Sequence, residues 1–250
     1  MAVQRDTIIE YLAQFLAVEN FVDYCINGLQ VEGKERVSSI VTGVSANKSL
    51  FLQARESSAD MIIVHHGLFW KRDPIPMALV GVLRARLAVL IKNDINLCAY
   101  HLPLDAHPAV GNNHHLCQTL GVTTRTSFDV GFIGNFEKST PLEEIIKIVT
   151  TAVHPQPTTF LFGPQNSTRI AIISGSPDST TLVEAVQQGA DTFLCGGIQE
   201  QTVYLAQELA VNYINAGHYN TEMFGIKALG EHISQKFLIP HRFIDVPNPI

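Results

Sequence analysis

The chain has 250 residues, 46% hydrophobic and 16% charged, with a formal charge of −6 and a pI near 5.9. That length suits one large domain or two lobes of about 125 residues, with a core big enough to need no disulfide. The acidic balance offers no positive field for general nucleic-acid binding, and no stretch approaches the roughly 18 uninterrupted apolar residues of a membrane span.

The N-terminal stretch "MAVQRDTIIEYLAQFL" has no apolar h-region and carries Asp6 and Glu10, so it reads as an amphipathic first helix and not as a signal peptide. The four cysteines, Cys25, Cys98, Cys117 and Cys195, show no CxxC spacing. They read as reduced thiols of a cytoplasmic protein. "INGLQVEG" at 26–33 turns at Asn27-Gly28 and reads as a plain loop. Residues 41–67, "VTGVSANKSLFLQARESSADMIIVHHG", then read strand–helix–strand. "MIIV" is the continuous apolar run of a strand buried on both faces, and it runs straight into His65 and His66. Two imidazoles at the carboxyl end of such a strand cost desolvation unless something binds them. Open α/β sheets hold their ligands at that end. Neighbouring residues of a strand point to opposite sides, so the pair is expected to hold one ion each and not to chelate one together.

"LFWKRDPIPMALV" follows as an insertion holding the only tryptophan, Trp70, beside Lys71 and Arg72. A helix, "LVGVLRARLAVLIKND", leads to "INLCAYHLPLD", with His101 and Asp105 four residues apart. His114 and His115 read as ordinary helix residues; His154, His232 and His241 read as surface residues. "DVGFIGNFEK" suggests turn-rich strands, and "TPLEE" a helix start with Thr140 as cap, Pro141 at N1 and Glu143 completing a capping box. Residues 172–197, "IISGSPDSTTLVEAVQQGADTFLCGG", repeat the strand–helix–strand unit. Asp191 falls opposite Asp60, and Gly196-Gly197 opposite His65-His66. "QEQTVYLAQELA" then leads to "VNYINAGHYNTE", with His218 and Glu222 again four apart.

The repeat predicts an α/β fold of two similar lobes with mixed sheets, residues 1–125 and 126–250, with the site in the cleft between them and a tail "HRFIDVPNPI" free to return to either lobe. The absence of GxGxxG after the first strand and of GxxxxGK[ST] excludes nicotinamide and P-loop readings. The imidazoles and carboxylates of His65, His66, His101, Asp105, His218 and Glu222 instead suit borderline divalent metals.

"INGLQVEG", "HHGLFW", "AYHLPLDAHPAVGNN" and "NAGHYNTE" together resemble the dinuclear-metal-centre family of the NGG-interacting-factor-three type, also labelled GTP cyclohydrolase type-two homologues, over essentially the whole chain. The resemblance implies metal ligands at His65, His66, Asp105, His218 and Glu222, with His101 beside the centre in a catalytic or substrate-facing place. It places Asn27 or Gln30 near the site, and it implies a toroidal homohexamer, a trimer of dimers. The expected function is a dinuclear-metal hydrolase using a metal-bound water, on two zinc, iron or manganese ions per chain, with nickel also compatible. Nucleotide ring opening, phosphoester hydrolysis and amide hydrolysis all fit. The alternative is a non-catalytic metal storage, delivery or regulatory assembly.

Overall fold

The computed structural model describes residues 2–73 and 78–250; part of the inserted "LFWKRDPIPMALV" therefore lies outside the described residues. In chain order the elements are β1 (Val3–Gln4), α1 (Arg5–Phe15), β2 (Gly28–Val31), β3 (Arg36–Val37), β4 (Ile40–Ser45), α2 (Lys48–Glu56), β5 (Met61–His66), α3 (Gly81–Lys92), β6 (Asn96–Ala99) and α4 (Leu102–Asp105). They continue with α5 (Asn112–Thr119), β7 (Val122–Phe128), β8 (Gly131–Pro141), α6 (Leu142–Ala152), β9 (Thr158–Leu161), β10 (Asn166–Ile172), α7 (Ser179–Gln187), β11 (Thr192–Cys195), α8 (Glu200–Glu208), β12 (Asn212–Asn215), α9 (His218–Phe237) and β13 (His241–Phe243).

The chain divides into two compact units, Met1–Leu104 with Ile226–Pro247 and Asp105–Gly225 with Asn248–Ile250. The division thus falls before the expected junction near 125. The reason is α5, whose Leu116 and Cys117 are buried among Ile170, Ile172 and Leu194 of the second unit's core. Most of the tail goes to the first unit because β13 pairs parallel with β4.

In the first unit the sheet order is β13-β4-β5-β6-β2, parallel except for the edge strand β2. Met61, Ile62, Ile63 and Val64 of β5 are fully buried, as a central parallel strand requires. Helix α2 starts at Asn47, whose side chain accepts the N–H of Leu50 at 2.9 Å, and buries Leu50, Phe51 and Ala54 on one stripe. In the second unit the order is β7-β8-β10-β11-β12-β9, with β10, β11 and β12 parallel. Helix α7 starts at Asp178, which accepts the N–H of Thr180 at 3.0 Å, and buries Thr181, Leu182 and Ala185.

The helix start expected at Thr140 differs. Pro141 takes the cap position of α6, and the Thr140 hydroxyl donates to the carbonyl of Lys138 at 2.9 Å instead. Thr140 and Pro141 are still in the ladder opposite Ser167 and Asn166, so strand pairing holds Thr140 extended past the point where it would cap.

Candidate metal centre

Strand β5 carries His65 and His66 at its carboxyl end, and His101 follows β6 beside them. All three belong to the first unit. His65 and His101 are buried and His66 is half-buried. Their ring centroids form a triangle of 4.6, 5.0 and 5.6 Å. Each offers a ring nitrogen, and these nitrogens lie within 4.8 Å of one another. Strand alternation therefore does not separate His65 from His66. His66 is the last residue of β5, so the pleat no longer sends the two rings to opposite faces.

Every one of the three rings is anchored through Nδ1. That of His65 donates to the carbonyl oxygen of Tyr100 at 3.0 Å, which fixes the lone pair on Nε2. That of His66 meets the Ser45 hydroxyl at 2.9 Å, and Ser45 is its ladder partner in β4. That of His101 faces Asp23 at 3.0 Å. Carboxylate or carbonyl support behind a ligating imidazole is what orients the ring and sets its tautomer at metal sites. Asp23 also accepts the N–H groups of Cys25 and Leu102 and the amide of Asn27. Burial pushes its carboxyl up, but the hydrogen bonds and the charge of His101 outweigh burial and hold it at about 2. Asn27 in turn accepts the N–H of His101 at 2.8 Å. Gln30 accepts the N–H groups of Leu68 and Phe69, and its amide would collide with any Cβ at Gly67. Both residues of "INGLQVEG" thus brace the cluster.

Asp105, His218 and Glu222 belong to the second unit. Asp105 and Glu222 are 3% and 2% exposed, and a carboxylate oxygen of each lies within 4.8 Å of the other. Two carboxylates this close and this buried repel each other, and a divalent cation would offset that repulsion. Asp105 Oδ1 accepts from Asn112 at 2.8 Å and from the Ser174 hydroxyl at 2.7 Å. His218 and Glu222 share the first turn of α9, with Nε2 and Oε2 3.1 Å apart. Gly175, at φ +69°, passes so close to Glu222 that a Cβ there would strike the carboxylate. Imidazole nitrogens and carboxylate oxygens, each oriented by a hydrogen bond, fit a borderline divalent ion such as zinc, iron or manganese.

The family model for Duf34/NIF3 (NGG1p interacting factor 3) matches residues 3–249. The chain belongs to the DUF34/NIF3 family. A Pseudomonas aeruginosa relative named "GTP cyclohydrolase 1 type 2 homolog" is 39% identical to it, covering 100% of both chains. A solved structure described as "protein ybgI, unknown function" superposes with a TM-score of 0.94 at 37% identity, over 99% of this chain and 100% of that one. TTHA1606 from Thermus thermophilus superposes with a TM-score of 0.92 at 35% identity, over the same shares. The family expected from the motifs is the one found, and the DUF34/NIF3 fold is the α/β fold expected.

Within this DUF34/NIF3 chain, sequence reading missed the supports: Asp23, Ser45, Asn112 and Ser174. Asp23 carried a usable signal, a carboxylate four residues before the Asn27-Gly28 turn, but nothing in its spacing ties it to His101. Other histidines lie elsewhere. His107 caps a turn, accepting the N–H groups of Ala109 and Val110. His232 and His241, expected at the surface, are half-buried against the hydroxyls of Tyr11 and Thr42.

Proposed function

We propose that His65, His66, Asp105, His218 and Glu222 are the ligands of a two-metal centre, with His101 beside it, and that the protein is a metal-dependent hydrolase. The observation that carries this reading is the trio of imidazoles, each anchored through Nδ1 and grouped at a strand's carboxyl end. The short helix α4 supports it, because it leads from His101 directly to Asp105. His65, His66, Asp105, His218 and Glu222 hold the ions. Divalent ions in such a set act as Lewis acids, polarising a substrate oxygen and making water a usable nucleophile at neutral pH. Asp23 holds the His101 ring in one orientation, so that His101 handles a proton or orients the attacking water. The substrate is a phosphoester, an amide or a nucleotide ring, and the "GTP cyclohydrolase" name of the relatives favours the last. The proposal includes the homohexameric ring, which light scattering checks.

Elemental mass spectrometry on untagged protein is expected to find about two divalent ions per chain, as a two-metal site requires. Glu222→Ala is expected to lose metal, and His101→Ala to keep it while losing turnover on screened phosphoesters and nucleotides. Full occupancy in Glu222→Ala overturns the ligand assignment. Metal without turnover on any of these substrates overturns the hydrolase and leaves a carrier.

A further inference from the structure

We infer that Tyr24, Trp70 and Arg72, at the edge of the three-histidine cluster, form a recognition site for a planar aromatic ring that carries an anionic group. The inference rests on the reading of that cluster as a reaction centre and supplies its substrate class.

Two segments build the edge. Cys25 and Trp70 form an antiparallel bridge, the N–H of Ile26 donates to the carbonyl of Phe69 at 3.3 Å, and that of Lys71 to the carbonyl of Tyr24 at 2.8 Å. Side chains along residues 22–26 alternate in an inverted sense. Asp23 and Cys25 are buried, while Val22, Tyr24 and Ile26 are 100%, 45% and 42% exposed. Val22, Tyr24 and Ile26 thus face outward on one side of this edge. Tyr24 and Trp70 stack with centroids 5.5 Å apart and planes 28° from parallel. Both rings meet His101 edge-on, at 5.1 and 5.3 Å, and Trp70 lies 6.2 Å from His66. A molecule reacting at the histidines therefore lies within one ring's width of these aromatics.

Aromatic faces held rigid favour a flat, polarisable ring, because stacking gains contact area with little loss of freedom. The charge nearby is cationic and outward. Arg72 is exposed, with its guanidinium carbon 5.4 Å over the Tyr24 ring. Lys71 is exposed too, its ammonium donating to the carbonyl of Asp23 at 2.6 Å. The acid of this stretch, Asp73, accepts the N–H of Trp70 at 2.8 Å. An anion on the ring's substituent would meet Arg72.

Trp70 is the only tryptophan, so emission excited in the indole band reports this edge alone. The probes are adenosine 5′-monophosphate, ribose 5-phosphate and adenosine. The nucleotide is expected to change the emission saturably, adenosine more weakly, and ribose 5-phosphate not at all. Tyr24→Ala should weaken the nucleotide by about tenfold, the order of one lost aromatic stack with its cation. Arg72→Gln should bring the nucleotide down to adenosine, with metal content unchanged in both variants. No saturable response to either ring-bearing probe, in protein of full metal content, overturns this inference and leaves the hydrolase standing. A saturable response in protein that takes up no zinc, iron or manganese on reconstitution supports the ring site, while the failed uptake overturns the metal reading. Emission that shifts with protein concentration alone means that a second copy covers the edge, which overturns the inference.

Discussion

The two units repeat one scaffold down to single hydrogen bonds and then diverge at the ends that carry chemistry. Met61 pairs with Asn96 between β5 and β6 as Thr192 pairs with Asn212 between β11 and β12. The Asn96 amide accepts from the N–H of Gly33 and donates to the carbonyls of Lys34 and Asp60. The Asn212 amide does the same with Gly163, Pro164 and Asp191. Asp60 grips Ser38 ahead of β4, and Asp191 grips Ser167 and Thr168 within β10. At the opposite ends of these strands the units differ. One presents His65 and His66, the other Gly196 and Gly197. The register also places Gly217, not His218, at the position of His101, since Tyr100 and Ala216 follow the paired strands identically. The two His-x-x-x-carboxylate elements are therefore offset by one residue in the shared register. His101 stands after a strand, whereas His218 opens a long helix. The two units share the foundation, and the candidate donors stand at different places on it.

The largest expected effect breaks the foundation. Asn96→Ala and Asn212→Ala each remove the side-chain partner of one backbone N–H and one carbonyl outright, while the carbonyls of Asp60 and Asp191 keep the backbone N–H of residues 96 and 212. Each should cost about 2–3 kcal/mol, since each of the two orphaned groups forfeits roughly 1 kcal/mol or more. Near-equal losses in urea melts are the expected outcome. A loss in one unit only would mean that the latches are alike in geometry and not in energy. The next effect tests why the second unit has no histidine pair. A Cβ at Gly196 would meet the Thr221 hydroxyl and stand 2.7 Å from the His218 Cα. Gly196→Ala should therefore destabilise by about 1–3 kcal/mol through overpacking, read in the same melts. A neutral result would mean that the glycines are idle.

Much of this was legible in the sequence. The "MIIV" and "TFLC" runs and the Ala-Asp that precedes each of them located a central strand of both parallel ladders, and the first run placed His65 and His66 at a strand's carboxyl end. The unit boundary was not legible, because α5 is a short helix whose sequence does not say which core its Leu116 joins. Helix ends were also hidden. Gly189 closes α7 with positive φ, but the corresponding residue after α2 is Ser58 at φ 55°. Asp94 and Ala210 end α3 and α8 at φ 49° and 52°. Left-handed residues that are not glycine carry little sequence signal, and here the tight return into a buried strand imposes them. Asp23 escaped for a related reason: its partner lies 78 residues away, and only folding reveals the pair.

The smallest expected effect separates the two latches by charge. Burial raises both carboxyls, and hydrogen bonds outweigh it and leave both Asp60 and Asp191 below the usual range. A carboxyl whose folded value is depressed contributes stability that is present above its unfolded value, about 4, and lost as pH falls through the folded value. The protein should therefore lose stability below about pH 4, and Asp60→Asn and Asp191→Asn should each make that loss shallower. Salt distinguishes them. Asp60 owes part of its depression to Lys34, 2.5 Å away and half exposed, whereas the partners of Asp191 are hydroxyls and backbone N–H groups. About 0.5 M salt should weaken the Asp60 contribution by a few tenths of a kcal/mol and leave that of Asp191 unchanged. Thermal melts of both variants from neutral to acid pH, with and without salt, read this directly. If salt acts equally on the two, Lys34 contributes nothing, and the latches are equivalent in energy as well as in shape.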